Sequence, residues 1–266
     1  MQQALARRDA RPADWLVPAW RATGVGALMT TRAGGASAAP FHTMNLRAGL
    51  GDDAAAVAHN QRMLAQAIGA APVWLNQVHG ATVVRLGAAD ARAGVPLHGA
   101  DASVTTEPGI ACAVQVADCL PVLFAAPRAA AVAAAHAGWR GLAGGVLEAT
   151  LRALCEAAHC EPAQVQVWLG ACIGPARFEV GADVLDAFGL AASGAGSDRF
   201  VARGPGKWLA DLPSLARDRL ALAGVRAITG GSWCTVSEPS RFFSFRRDGV
   251  TGRMAALIWI EPGRSR

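Results

Sequence analysis

The chain has 266 residues, of which 52% are hydrophobic and 17% are charged. This length and balance allow a sizeable buried core and exclude a disordered chain, which combines low hydrophobicity with high net charge. The net charge of +5 comes from scattered arginines and a single lysine, Lys207. It does not favour a nucleic-acid partner, because nucleic-acid binding needs clustered basic residues.

The N-terminal residues 1–14 are polar and arginine-rich and are expected to be mobile. They contain no apolar segment of the kind found in secretory signals, which favours a cytoplasmic protein. Because the cytoplasm keeps thiols reduced, the six cysteines are interpreted as free thiols, ligands or nucleophiles. The sequence has no charge-free apolar run of about 18 residues, so no membrane partner is expected.

Apolar residues recur with helical spacing in four segments, and Val-rich runs between them predict strands. In chain order the predicted elements are a helix at 54–68, strands at 81–86, 111–116, 121–125 and 130–135, a helix at 142–158, a strand at 165–169, helices at 179–188 and 208–222, and strands at 225–228 and 254–260. Residues 189–206, rich in Gly, Ala and Ser, are expected to form a long surface loop. Because several strands follow one another without a helix, the pattern indicates mixed sheets with helices outside them.

The first polar motif is TTRAGGAS at residues 30–37, which is followed by Asn45. Its Gly-Gly pair would let the backbone approach a ligand closely, and the guanidinium of Arg32 suits a phosphate. An ordinary turn with a surface arginine is the alternative interpretation.

Two further motifs place reactive side chains beside predicted strands. NQVHG contains Gln77 and His79, and VADCLPV contains Asp118 and Cys119. A lone histidine is more often a structural residue, and a buried cysteine is usually inert. A carboxylate and a thiol at a break between two apolar strands are less ordinary, and a thiolate there would need a metal or a nearby cation.

A glycine-rich turn, HAGWRG, follows the strand that ends at His136 and leads into a predicted helix. Free backbone amides, the positive end of the helix dipole and the guanidinium of Arg140 would together favour an anion. The glycines match neither the P-loop nor the dinucleotide fingerprint. The alternative is a tight turn that buries Trp139 in the core.

The C-terminal motif CTVSEPSRFFSFRRDGVTGRM crowds four arginines, among them Arg246, around three phenylalanines. Stacking on the rings together with guanidinium donors would hold a purine and an anion. A surface hairpin with arginine stems packed on phenylalanine explains the pattern equally well.

His79, Cys119 and His136 each lie at the end of a predicted strand, and ligands from different strands can converge in space. Two histidines and one cysteine give zinc three protein ligands and leave a fourth position for water, as in catalytic zinc sites. The same residue types also suit copper. A cysteine nucleophile with a histidine base is a third interpretation.

In their order and spacing these segments resemble the YfiH-like laccase-domain family, through the motifs NQVHG, ADASVT, VADCLPVLF, AAAHAGWRGLAGGVLEAT, WLGACIGPARFEVG and FFSFRRDGVTGRMA. The resemblance implies one domain over residues 15–262 with an α/β fold, a four-layer α/β/β/α sandwich of two mixed β-sheets. It also implies a metal site at His79, Cys119 and His136, for which zinc is expected in a reducing cytoplasm, with copper as the alternative. The chain departs from its relatives at Phe245, where tyrosine is frequent, so a phenol hydroxyl is missing there.

Members of the family are described as enzymes that phosphorolyse adenosine, inosine and methylthioadenosine and that also deaminate adenosine. The resemblance therefore implies a purine nucleoside and phosphate as partners. The candidate substrate-binding and phosphate-binding residues are Arg32, Asn45, Gln77, Arg140 and Arg246. Deamination would need a proton-shuttling acid, for which Asp118 is the candidate.

The resemblance leaves other functions open. The family was earlier named for polyphenol oxidases, but a multicopper laccase needs many imidazoles and this chain has six histidines in all. A branch linked to peptidoglycan editing suggests a cell-wall precursor hydrolase that would use the same cysteine and histidines on an amide bond. A structural zinc domain would need a fourth ligand. The oligomeric state is left open, with a monomer or weak dimer expected.

Overall fold

A computed structural model describes residues 12–92, 97–190 and 198–263 of the chain. Most of the N-terminal segment that the sequence predicts to be mobile, residues 1–11, lies outside the described residues. Asp14, at the end of that segment, accepts a hydrogen bond from the hydroxyl of Thr31. Within these ranges no helix is both long enough and apolar enough to cross a membrane.

Strands and helices alternate only in part along the chain. The strands are β1 (Val25–Met29), β2 (Ala71–Val73), β3 (Val83–Arg85), β4 (Ala102–Thr105), β5 (Ile110–Val116), β6 (Leu120–Ala125), β7 (Val132–Ala137), β8 (Gln166–Leu169), β9 (Glu179–Val180), β10 (Phe200–Gly204), β11 (Lys207–Ala210), β12 (Ala227–Gly230) and β13 (Met254–Ile260). The α-helices are α1 (Ala54–Ile68), α2 (Trp139–Ala143), α3 (Val146–Ala158), α4 (Ala182–Ala187), α5 (Leu212–Leu222) and α6 (Phe245–Asp248).

Two mixed sheets pack face to face in the centre of the molecule. The first has the strand order β1-β13-β5-β2, and the second has the order β12-β8-β6-β7-β4-β3. Every residue of β5, β6, β7 and β13 is buried, because these strands have a layer on each face. Met29, Val114, Leu123 and Ala256 belong to the apolar cluster between the two sheets.

Helices cover the outer faces of both sheets. Helix α1 packs on the first sheet, where Leu64 joins Ala113 and Leu257 in one apolar cluster. Helices α3 and α5 cover the second sheet, and Leu151 and Leu220 belong to its outer cluster. This arrangement confirms the predicted four-layer α/β/β/α fold in a single domain.

Several predicted elements have the bounds that the sequence indicates. Helix α1 begins at its predicted residue because Asp53 accepts a hydrogen bond from the N–H of Ala56, and it ends at Gly69, whose φ is 65°. Strands β5, β6, β8 and β13 agree with their predictions to within a residue. The predictions at 81–86, 130–135 and 225–228 overlap β3, β7 and β12, which are shorter or displaced along the chain.

A small antiparallel sheet of order β10-β11-β9 was not predicted. The predicted helix at 208–222 is wrong in its first residues, which form β11, and α5 starts only after Asp211 caps it. The predicted helix at 179–188 likewise begins with β9, and the predicted loop at 189–206 contains β10, while residues 191–197 lie outside the described residues. These short strands exist because they pair with one another, and local periodicity does not report such pairing.

The predicted helix at 142–158 is interrupted. Helix α2 ends before Gly144, and α3 begins after Gly145, whose φ of 91° is a left-handed conformation that favours glycine. This break allows α2 to lie next to the end of β7, which carries His136, while α3 packs along the sheet.

Candidate metal centre and substrate cleft

His79, Cys119 and His136 lie together at one end of the second sheet. His79 is in the loop before β3, Cys119 directly precedes β6, and His136 is in β7, which pairs with β6. Their ligand atoms all lie within 4.8 Å of one another, and Nε2 of His79 is 3.9 Å from Sγ of Cys119. Within the described ranges, this is the one group of three or more His, Cys, Asp or Glu side chains placed to share a metal ion.

The glycines of HAGWRG make this convergence sterically feasible. A Cβ atom at Gly138 would lie 3.0 Å from Cδ2 of His79 and 3.1 Å from Sγ of Cys119. A Cβ atom at Gly141 would lie 2.8 Å from the carbonyl oxygen of Gly80. The glycine turn therefore allows the start of α2 to pack directly against the three side chains.

The charges in the group favour a thiolate at Cys119. Burial would raise the pKa of the Cys119 thiol, but the neighbouring His136 and His79 outweigh burial and lower that pKa to about 6. Burial would lower the pKa of His136, whereas Cys119 and Asp101 raise it to about 9. The thiolate is the form of cysteine that binds metals and that acts as a nucleophile. All six cysteines are free thiols, as expected from the sequence.

The three side chains fit a transition-metal ion. Two imidazoles and a thiolate match the soft donor sets that bind zinc or copper. Nδ1 of His136 lies 2.8 Å from Oδ1 of Asp101, a pairing that leaves Nε2 of this ring for a metal. The described residues supply three donor atoms to this group. Catalytic zinc sites also have three protein ligands and keep a fourth position for water or substrate.

A cleft of about 300 Å³ opens beside the candidate metal ligands. His79 and Cys119 lie in its wall, together with Trp139, Phe178 and Phe245. Phe245 is 58% exposed, and the guanidinium of Arg253 lies 5.7 Å from the centre of its ring. The cleft thus combines the metal ligands with aromatic surface on which a flat ring system can stack.

Two of the predicted substrate-binding arginines line this cleft. The guanidinium of Arg140 lies 4.1 Å from the centre of the Trp139 ring, and in the described part of the chain it has no hydrogen bond or ion pair with protein. Arg246 donates a hydrogen bond to the carbonyl of Glu179, and its guanidinium is 5.5 Å from the centre of the Phe178 ring. Two cationic groups therefore face a cleft into which an anion can enter.

Asp118 also lines the cleft, but its carboxylate already has protein partners. Oδ1 accepts a hydrogen bond from the hydroxyl of Thr235 at 2.6 Å, and Oδ2 accepts one from the backbone N–H of Arg246 at 2.7 Å. Its φ of 97° is unusual for a residue other than glycine. These contacts tie the turn that carries Cys119 to the start of α6.

The remaining predicted site residues are not among those that line the cleft. The guanidinium of Arg32 donates hydrogen bonds to the carbonyls of His42 and Pro239. The buried amide of Asn45 bonds to Asp52 and accepts from the backbone N–H groups of Arg47 and Arg253.

Gln77 is also engaged within the protein. It exchanges two hydrogen bonds with the backbone of Gln115, at 2.9 Å and 2.8 Å. In the structure, Arg32, Asn45 and Gln77 therefore form hydrogen bonds within the protein, and none of them lines the cleft.

One residue at the centre was missed by reasoning from the sequence. Asp101 is fully buried and contacts both His136 and the loop that carries His79. Burial would raise its pKa, but hydrogen bonds from His136 and from Gly80 outweigh burial and lower it, so the carboxylate stays ionised. A charged residue at the start of the strand in ADASVT is the signal that could have indicated it.

Comparisons with known proteins agree with this architecture. A family model described as multi-copper polyphenol oxidoreductase laccase matches residues 26–261. A purine nucleoside phosphorylase of Pseudomonas aeruginosa is 48% identical over 93% of this chain and 98% of its own length. Purine nucleoside phosphorylase YfiH of Escherichia coli is 46% identical over 92% of this chain and 98% of its own length.

Solved structures support the same relationship. The Neisseria meningitidis protein NMB0706 superposes with a TM-score of 0.85 at 46% identity, covering 93% of this chain and 99% of that one. YlmD of Geobacillus stearothermophilus superposes with a TM-score of 0.86 at 34% identity, covering 94% of this chain and 98% of that one. The family model and these relatives all match nearly the whole chain. The chain therefore belongs to the multi-copper polyphenol oxidoreductase laccase family, which includes YfiH.

Proposed function

We propose that this protein is a purine nucleoside phosphorylase. The observation that carries the proposal is the composition of the cleft, in which two arginines and exposed aromatic surface adjoin the group formed by His79, Cys119 and His136. The relatives in Pseudomonas aeruginosa and Escherichia coli support it, because both are named purine nucleoside phosphorylase and both match nearly the whole chain.

The proposed reaction breaks the bond between C1′ of the sugar and a purine nitrogen and forms a bond between C1′ and a phosphate oxygen. The departing purine takes up the proton of the phosphate. Arg140 and Arg246 would bind the phosphate and neutralise its charge, because guanidinium groups form strong charge-assisted hydrogen bonds with it. Phe245 would stack on the purine.

We propose zinc as the ion held by His79, Cys119 and His136, with copper as the alternative. A zinc ion bound there would act as a Lewis acid and lower the pKa of a bound water molecule. Metal analysis of the protein purified without added metal distinguishes the two ions. A copper content that exceeds zinc would overturn the assignment of zinc.

The activity is tested by incubating the purified, zinc-loaded protein with adenosine, inosine or methylthioadenosine, each with and without phosphate. Chromatography then identifies the products. The expected result is free base and sugar 1-phosphate only when phosphate is present. No turnover of any of these nucleosides would overturn the proposal. In that event, hydrolysis of a peptidoglycan precursor and oxidation of a phenol are the reactions to assay next.

The same experiment tests a second reaction, the deamination of adenosine. The specific observation in its favour is that the described residues supply three ligands, which leaves a position for an activated water. Formation of inosine from adenosine without phosphate is the expected result. If neither inosine nor hypoxanthine forms from adenosine, with or without phosphate, deamination is excluded as an activity of this site.

A further inference from the structure

The buried carboxylate of Asp101 accepts four hydrogen bonds from groups that belong to the metal centre. Oδ1 accepts from Nδ1–H of His136 at 2.8 Å and from the backbone N–H of His79 at 2.9 Å. Oδ2 accepts from the backbone N–H of Gly80 at 2.7 Å and of Val78 at 3.1 Å. Each oxygen therefore has two donors, and the carboxylate is fully engaged.

The contacts to residues 78–80 determine the conformation of the His79 backbone. His79 has a φ of 61°, a left-handed conformation that is unfavourable for residues other than glycine. Three successive N–H groups that point at one anion offset this cost, because hydrogen bonds to a carboxylate are stronger than neutral ones. The loop that presents His79 is thus built around the Asp101 carboxylate.

The contact to His136 determines which ring nitrogen is available. Because Nδ1 carries the proton that Asp101 accepts, the lone pair of the neutral ring is on Nε2. The backbone N–H of His136 also donates to the carbonyl oxygen of Asp101 at 2.7 Å, so the two residues are held together by main chain and side chain.

We propose that Asp101 is the positioning residue of the metal centre, and that this single carboxylate sets both histidines for metal binding. It orients His136 through the ring and His79 through the loop backbone. The proposal rests on the proposed metal site but not on the substrate of the enzyme, so metal binding tests it without any assay of nucleoside turnover.

Asparagine is the informative replacement, because it has the shape of aspartate but only one acceptor oxygen. If its oxygen faces His136, its NH₂ group meets the N–H groups of Gly80 and Val78, and the loop loses its partner. If the amide is reversed, its NH₂ group faces Nδ1 of His136, which drives the ring proton to Nε2 and blocks that ligand. In either orientation one histidine is no longer set for the metal.

The test compares the zinc affinity of wild type, Asp101→Asn and Ser103→Ala by competition with a chromophoric chelator. Ser103 is the matched control, since it is buried on β4, two residues further along, and bonds to neither histidine. We expect Asp101→Asn to bind zinc about 10- to 100-fold more weakly, the usual effect of losing such a partner, and Ser103→Ala to match wild type. With Co²⁺ in place of zinc, the visible spectrum of Asp101→Asn should change even at saturating metal.

A second measurement needs no substitution and covers the case in which Asp101→Asn does not fold. In zinc-loaded wild-type protein with ¹⁵N-labelled histidine, NMR should find His136 protonated on Nδ1 and metal-bound through Nε2. Metal binding through Nδ1 would overturn the proposal, and so would equal zinc affinity in wild type and folded Asp101→Asn. Failure of phosphorolysis with normal zinc binding would overturn only the proposed enzyme activity.

Discussion

The carboxylate of Asp118 accepts a hydrogen bond from the backbone N–H of Arg246, with 2.7 Å between the oxygen and the nitrogen. Asp118 directly precedes Cys119, so the turn that presents the thiol also anchors the start of α6. Helix α6 carries Phe245 and Arg246, which line the cleft. One carboxylate thereby links the turn that carries a candidate metal ligand to the helix that carries candidate substrate-binding residues.

Replacement of Thr235 by valine tests whether Asp118 positions α6. The change removes the hydroxyl that donates to Asp118 at nearly constant volume. We expect the free energy of unfolding to fall by ~1 kcal/mol and KM for the nucleoside to rise about fivefold, with kcat and zinc content close to wild type. Thr150→Val is the matched control, because its hydroxyl is equally buried but bonds within α3. A lower kcat with unchanged KM would instead assign Asp118 to the chemical step.

Replacement of Cys119 by serine tests the metal site. A serine hydroxyl is not deprotonated near neutral pH and is a much poorer ligand than a thiolate, so we expect the protein to lose zinc on dialysis. Turnover should fall at least ~100-fold, because loss of a partner that only orients a metal ligand already costs up to about 100-fold. Cys160→Ser is the control, because Cys160 is a half-buried free thiol beyond the end of α3. Full zinc retention in Cys119→Ser would show that the thiol is not a ligand.

Replacement of Arg140 by glutamine tests the phosphate site. Its guanidinium lines the cleft and stacks on Trp139, so its removal takes away a charge that phosphate would meet. We expect KM for phosphate to rise about tenfold, equivalent to ~1.4 kcal/mol, with KM for the nucleoside unchanged. The measurement is the initial rate at varied phosphate and saturating nucleoside. Arg152→Gln on the exposed face of α3 is the control, and an equal effect there would indicate a general change in protein charge.

Replacement of Gly138 by alanine tests the steric fit of the metal centre. The added Cβ would lie within 3.1 Å of both His79 and Cys119, so these side chains must move apart. We expect zinc affinity to fall at least ~10-fold and the free energy of unfolding to fall by ~1–3 kcal/mol, as for other overpacked sites. Gly204→Ala, where nothing lies within 4 Å of the new Cβ, should leave both unchanged. Wild-type zinc affinity in Gly138→Ala would contradict this account of the glycine turn.

Much of the architecture could be predicted from local sequence. Helix α1 has its own start and stop signals in Asp53 and Gly69, β13 is a continuous apolar run, and β5 is apolar except at Gln115. Local signals are sufficient there because a cap or an apolar run acts on the adjacent backbone. They were insufficient for β11, because Trp208 also pairs with Val180, which is too distant in sequence for a periodicity to reveal.

The sequence by itself determined mixed sheets with helices outside them and the residue types of the candidate site. Its resemblance to the family added the four-layer arrangement and the grouping of His79, Cys119 and His136. Only the tertiary structure decided that Arg140 and Arg246 face the cleft while Asn45 and Gln77 are occupied inside the protein. It also decided the place of Asp101, whose partners lie 21 to 35 residues away along the chain. The physical reason is that a hydrogen bond depends on distance and direction in space, and strand pairing brings together donors and acceptors that no local pattern connects.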